Sequence, residues 1–479
     1  MPFGISADTG LPLDGLDSAA LGYFRSGGAA ESVAAETLAA KADSAEAHFG
    51  TIGDVDSNDL SQAGWGVLFG PSVDQRIKDA LKPLLDHRKS QVTDQSIFKI
   101  FDGPSGFRPG DTAQAWLNRQ GVRMDAVDPV LGVPFFILIV ADPAEIPFEF
   151  QYVLDLYWAV GRIWFPTPDE FRQYADSVLR YETMAEPPAA KQAAVFATRH
   201  EGDKATQLFS DQVALPIVNG AGPVAPLGKR QKFSLTSFIG DASTGAATKD
   251  SLNSIFNGTI PGGPPSVFFS GSHGTAFRAD DPLQESSQGA VLCQDWEGYG
   301  SIKREDYFDA SDLSSNARVH GMIHVLFACY GAGWPRYDDF KRLDGKPTEI
   351  APRPMIGRLP QALLAHPNGG ALAVLGHVDR AWAYSFHSDR GAPQTQGFRD
   401  VMGRLMRGDR LGQATDQFNL RWAALSTELA ETLNQMNLGL QLSAPRLGNQ
   451  WVARDDARNY ITFGDPAVRL RVEDMPAPP

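Results

Sequence analysis

The stretch Pro265-Ser-Val-Phe-Phe-Ser-Gly-Ser-His273-Gly274 is a short apolar run that ends in small residues around a histidine. His324-Val-Leu-Phe-Ala-Cys329-Tyr-Gly331-Ala-Gly333 has the same form with a cysteine, 56 residues after the histidine. Short apolar runs without alternation suit strands covered on both faces. In open α/β sheets, reactive groups gather just beyond the carboxyl ends of the strands, so the first side chains after such runs are candidates for chemistry. Neighbouring glycines allow a tight turn and close backbone approach. A thiol attacks a carbonyl as thiolate, and an imidazole can hold its proton and later pass it to the leaving amine. His273 and Cys329 therefore form the candidate catalytic pair, with the backbone N–H groups of Gly274 and Cys329 as a candidate oxyanion site.

Outward from these runs the chain alternates between strand and helix patterns. Strands are expected at 64–69, 135–140, 193–198, 233–239, 266–270, 322–328 and 371–375. Helices are expected at 73–85, 168–184, 201–213, 248–256, 397–407 and 412–436, the second opened by Thr167 as N-cap and Pro168 at the first position. This alternation predicts an α/β fold with a largely parallel sheet flanked by helices on both faces. Residues 96–132 read as turn-rich connection. Residues 1–62, rich in Ala, Ser, Gly and Asp with a helical stretch at 29–48, read as an N-terminal extension to which no chemistry is assigned. Residues 63–240 then form an N-terminal α/β subdomain and 241–479 the catalytic one.

The 479 residues carry a formal charge of -14, which argues against nucleic acid or an anionic membrane as main partner, since both need a positive face. No run of apolar residues is long enough to span a bilayer, and the first residues lack the pattern of a signal peptide, so a cytoplasmic location is expected. With Cys293 and Cys329 as the two cysteines, a disulfide framework and a four-cysteine zinc site are excluded. Cys293, in Ala290-Val-Leu-Cys-Gln-Asp295, has no glycine-rich exit and reads as structural. His320 and His324 have the spacing of a zinc helix, but Gly321 stands where the general-base Glu would be, and the segment reads as a strand. No Gly-x-Ser-x-Gly elbow is present.

Ser-Gly-Ser-His273-Gly274 and Phe-Ala-Cys329-Tyr-Gly331 resemble the His-Gly and Ala-Cys motifs of the caspase-like clan of cysteine peptidases, and more specifically the gingipain-type family. The supporting segments run in order from Phe136-Ile-Leu-Ile-Val-Ala-Asp142 and Glu145-Ile-Pro147, through Asp155-Leu-Tyr157, Ala-Val-Gly161-Arg162-Ile163 and Leu-Arg-Tyr181-Glu182, to Gly370-Ala-Leu-Ala-Val-Leu-Gly376 and Phe463-Gly-Asp465-Pro466. The resemblance implies a caspase-like sheet, endopeptidase activity through an acyl-enzyme, and no organic cofactor or catalytic metal. It implies further that Asp155 lies in the pocket for the residue before the cut bond (P1), that Trp382 walls this pocket, and that Glu145 orients the histidine. A carboxylate there would select Arg or Lys.

The expected partner is thus a protein or peptide with a basic P1 residue. The insert at 279–316 is expected to cover the site or bind a regulatory protein, and by analogy the pathway is one of bacterial defence. Lys229-Arg230, after the Gly/Pro-rich stretch 216–228, is the candidate self-processing site, with cleavage after Arg230. The alternative is a catalytically idle caspase-like scaffold that binds without cutting.

Overall fold

The computed structural model describes residues 1–13, 50–240, 246–343, 346–387, 395–439 and 441–477; the helical stretch expected at 29–48 lies outside them. Ten strands form the central sheet: β1 Trp65–Phe69, β2 Phe98–Phe101, β3 Phe136–Val140, β4 Ala159–Ile163, β5 Gln192–Ala197, β6 Ser234–Ile239, β7 Val267–Gly271, β8 Ile323–Phe327, β9 Ala373–His377 and β10 Tyr460–Gly464. Their spatial order is β2-β1-β3-β4-β10-β9-β8-β7-β5-β6. The sheet is mostly parallel, with β10 antiparallel to β9.

The apolar runs explain the interior of this order. All residues of β1, β3, β4, β5, β7, β8, β9 and β10 are buried, which requires cover on both faces, whereas the outermost β2 and β6 keep partly exposed residues as edge strands do. On β8, Val325 stands between Phe269 of β7 and Leu375 of β9. Helices α1 (Gln75–Gln91) and α2 (Pro168–Thr183) pack against each other. Thr167 accepts the N–H of Glu170 while the Glu170 carboxylate accepts the N–H of Thr167, a reciprocal cap worth about 1 kcal/mol.

The sequence pattern is incomplete in places. Residues 96–132 hold β2 and the helix Ala113–Arg119 besides turns, because a short edge strand with Lys99 in its middle lacks the continuous apolar signal. The helix expected at 201–213 runs as Lys204–Phe209, a π-helical turn Ser210–Ala214, and Leu215–Asn219. Long helices α3 (Asp416–Asn437) and α4 (Ala444–Arg458) pair near the end of the chain, and α4 leads into β10. The division at 240/241 separates strands that the sheet joins, since β5 and β6 pair beside β7.

Residues 1–62 were expected to carry no chemistry, yet Gly4–Ser6 forms a parallel strand on Gly274–Ala276, directly after His273. That pair continues through Val291–Leu292 to Tyr307–Phe308, both from the 279–316 insert, giving a small four-stranded sheet. The insert thus builds one wall of the site. Among the described residues, no helix is long and apolar enough to cross a membrane.

Candidate active site

β7 ends at Gly271 and delivers Ser272 and His273; its neighbour β8 ends at Phe327 and delivers Ala328 and Cys329. Parallel pairing puts both strand ends at the same edge. The next residue, Tyr330, has φ 58, a left-handed conformation costly for a bulky side chain, and its N–H donates to the carbonyl of Asp379, itself at φ 139. These two strained residues brace the turns that carry Cys329 and the 379–383 segment.

The imidazole of His273 is buried, and its Nε2 lies 2.6 Å from Oδ2 of Asp203. Asp203 follows β5, the other neighbour of β7, and caps the helix Lys204–Phe209 by accepting the N–H of Ala205 at 3.0 Å. Thr206 Oγ1 donates to the same Oδ2 at 2.9 Å. Burial pushes this carboxyl up, but the bonds from His273, Thr206 and Ala205 outweigh it and hold it well below the usual carboxylate range. An ionised Asp203 keeps the proton of His273 on Nε2. Nδ1 is buried without a hydrogen-bond partner and is the ring atom left to exchange a proton. Beside it His200 is lowered to about 4, first by burial and then by His273, and so stays neutral.

Cys329 is buried, and burial pushes its thiol up. Sγ accepts the N–H of Ala381 at 3.2 Å. On its other side lies Gly4: a Cβ added there would stand 3.0 Å from Sγ and 2.9 Å from Cys329 Cβ. The carbonyl oxygen of Phe3 accepts the N–H of Gly274 at 2.8 Å and that of Cys329 at 3.0 Å. The two donors expected of an oxyanion site thus converge on one carbonyl, and the peptide bond that follows it lies against the thiol.

The expected pocket residues separate. The backbone of Trp382 pairs with Pro2 beside the thiol, while its ring packs against Phe340 at 5.3 Å in a cluster with Leu447 and Trp451. Asp155 caps the helix Phe148–Leu154 and accepts the N–H of Val160 at 2.9 Å where β4 starts. β4 is three places from β8, about 14 Å at strand spacing. Glu145, after β3, accepts the N–H of Ser72 at 2.6 Å and ties the loops that follow β3 and β1. β3 is five places from β7, about 24 Å, so Glu145 does not orient His273; Asp203 is the carboxylate in contact. Its signal was present: the strand run ending in Ala197-Thr198 exits into His200-Glu-Gly-Asp203, a third strand end at the same edge.

Arg230 precedes β6, at the amino ends of the parallel set β6, β5, β7 and β8, whereas Cys329 is at the carboxyl ends. With three strand spacings and one strand length between them, roughly 20 Å, the two do not meet within one molecule. His320 Nε2 donates to the carbonyl of Ser177 at 2.9 Å, and His324 pairs with Ser270 inside the sheet, so the two imidazoles face different surroundings. Cys293 is buried with its thiol pushed up by burial, as a structural cysteine is.

A mostly parallel α/β sheet with Cys and His at adjacent strand ends and two N–H groups aimed at one carbonyl defines a thiol peptidase of caspase-like architecture. The model of Peptidase family C25 matches residues 134–471, and the chain belongs to that family, which makes it a cysteine endopeptidase. Among solved structures, the Arg-specific cysteine proteinase gingipain R (RgpB) is similar in fold, with TM-score 0.51 and 13% identity over 87% of this chain and 79% of that one. The complex of Porphyromonas gingivalis RgpB pro- and mature domains matches at TM-score 0.45 and 12% identity over 85% and 80%. No curated protein matches the chain in sequence.

Proposed function

We propose that this chain cuts protein or peptide substrates through an acyl-enzyme on Cys329, with His273 as proton carrier, Asp203 as the positioning residue for His273, and the N–H groups of Gly274 and Cys329 as oxyanion donors. The observation that carries this reading is the carbonyl of Phe3, held by both donors while Gly4 lies against Sγ.

In the first step His273 Nδ1 takes the thiol proton and Sγ bonds to the substrate carbonyl carbon. The oxygen becomes an oxyanion held by the two N–H groups, which are fixed by the strand ends and need no reorganisation. The carbon–nitrogen bond then breaks and His273 returns its proton to the leaving amine. Water, deprotonated by His273, attacks the thioester and releases the carboxylate, and the thiol regains its proton. Asp203 keeps the imidazole oriented and stabilises its charged form.

The alternative of an idle scaffold is separated by one comparison. With an unstructured protein as substrate, wild type is expected to cut it and to be modified at Cys329 by thiol-directed peptidyl probes, and Cys329→Ala is expected to lose both, a fall of at least about a thousandfold in rate. Equal cutting by both proteins, or no cutting and no labelling both in wild type and in a Phe3→Asp variant that frees the site of its own segment, would remove the reading.

A further inference from the structure

Residues Met1–Ser6 run through the site with main-chain rails on both sides, bending at Phe3 and continuing as the strand Gly4–Ser6. Before the Phe3–Gly4 bond, the N–H of Phe3 donates to Ala381 O at 2.8 Å, Pro2 bridges Trp382 antiparallel, and the N–H of Ala383 donates to Met1 O at 3.1 Å. After the bond, Gly4, Ile5 and Ser6 pair in parallel with Gly274, Thr275 and Ala276. This is strand addition, where main-chain bonds hold the peptide and pockets select its side chains.

The ring of Phe3 is fully buried. It meets Phe327 at 4.8 Å, Phe386 at 5.6 Å and Phe209 at 5.8 Å, all edge-on, and the imidazole of His273 at 5.8 Å. Phe209 and Phe327 stack on each other at 5.2 Å, and Phe386 is edge-on to both, so three rings make one box. Edge-to-face packing of this kind is specific for a flat aromatic ring. A basic side chain would bring its charge into a dry space walled by rings, and an unpaired buried charge is strongly disfavoured. At the following position, the space a side chain would need is taken up by Cys329 Cβ and Sγ and by the Leu13 side chain.

We propose that the site cuts after a large aromatic residue followed by a small one, with Phe209, Phe327 and Phe386 as the specificity-determining residues and the segment Met1–Ser6 as a built-in occupant that shows how the substrate is held. This proposal rests on the peptidase function proposed above. It differs from the basic preference expected from Asp155, which lies three strands away. It also gives the 279–316 insert a task, since Val291–Leu292 supports the Gly274–Ala276 rail.

The test uses the full chain and Phe3→Asp, which puts a charge in the box and drives the segment out. Both are given peptides that differ at one position, Pro-Phe-Gly against Pro-Arg-Gly and Pro-Lys-Gly, and matching thiol-directed peptidyl probes. The expected result is at least tenfold higher kcat/KM for Phe than for Arg or Lys in both proteins, and faster labelling of Cys329 in Phe3→Asp. A second variant, Phe386→Asp, is expected to move the preference from Phe toward Arg. Cutting of the Arg or Lys peptide as fast as the Phe peptide overturns the aromatic assignment while leaving the peptidase standing. No cutting and no labelling of either wild type or Phe3→Asp by any peptide or probe overturns both.

Discussion

Two buried clusters in this protein join a cation-forming side chain to carboxylates, and they are built on opposite plans. In the first, Arg88 donates through Nε to Asp465 at 2.6 Å and through Nη1 and Nη2 to Glu182 at 2.6 and 2.7 Å. Glu182 also bonds His87, while Asp465 accepts Trp65 Nε1 and the N–H of Ala467. Each group is met from within the fold. In the second, Asp203 meets His273 through Nε2, but Nδ1 has no partner and the two N–H groups at Cys329 and Gly274 close on a carbonyl from a segment lying in the groove. A cluster that exhausts its bonding capacity internally ties elements together; one that leaves capacity facing a groove can act on something placed there.

The difference can be tested from the site outward. Asp203→Asn removes the charge that stabilises the imidazolium, and kcat is expected to fall by about a hundredfold or more with KM little changed. The pH profile of kcat should shift with it, a change that a loss of folding would not produce. A proportional loss of labelled, folded protein with an unaltered profile would reduce Asp203 to a structural role.

Arg88→Met leaves two carboxylates buried without their partner, and is expected to cost about 3–5 kcal/mol of stability in denaturant unfolding. At temperatures where the variant is folded, Cys329 labelling should be unchanged, since none of its partners is lost. The same variant carries a pH signature. Burial pushes Glu182 up, but Arg88 and His87 outweigh it and hold it far below its ordinary value. A carboxyl depressed in the folded state contributes stability that is present above its unfolded value of about 4.3 and is lost as pH falls further. Wild type is therefore expected to lose stability below about pH 4, and Arg88→Met to show a flatter dependence there. An equally steep slope in both would mean that Glu182 does not owe its state to Arg88.

The smallest effect is expected where the comparison with the family pattern drew attention and the fold does not. Glu145→Gln and Asp155→Asn each keep a hydrogen-bond acceptor for Ser72 and Val160, so activity should stay within about twofold and stability within about 1 kcal/mol. A hundredfold loss of kcat in either would reinstate it as a residue of the site.

How much was legible can be read from particular residues. The runs 266–270 and 322–328 marked two strands, and the small residues around His273 and Cys329 marked where the chain turns out of the sheet. Thr167, Pro168 and Glu170 announced the start of α2. Short, charged β2 and the strands inside the insert gave no such signal, because their pairing depends on neighbours rather than on their own apolar content.

By itself, then, the sequence determined that the chain is an α/β protein, that His273 and Cys329 leave their strands at the same kind of glycine-flanked position, and that Cys293 has no glycine-rich exit. Those are local matters of apolar runs and turn residues. Tertiary structure alone decided that Asp203 rather than Glu145 holds the histidine, that Asp155 is remote, and that Phe3, from a segment that reads as featureless, lies in a box of Phe209, Phe327 and Phe386. The physical reason is strand order: which strand ends become neighbours is set by how the whole sheet is covered and closed, and no short stretch of sequence carries that information.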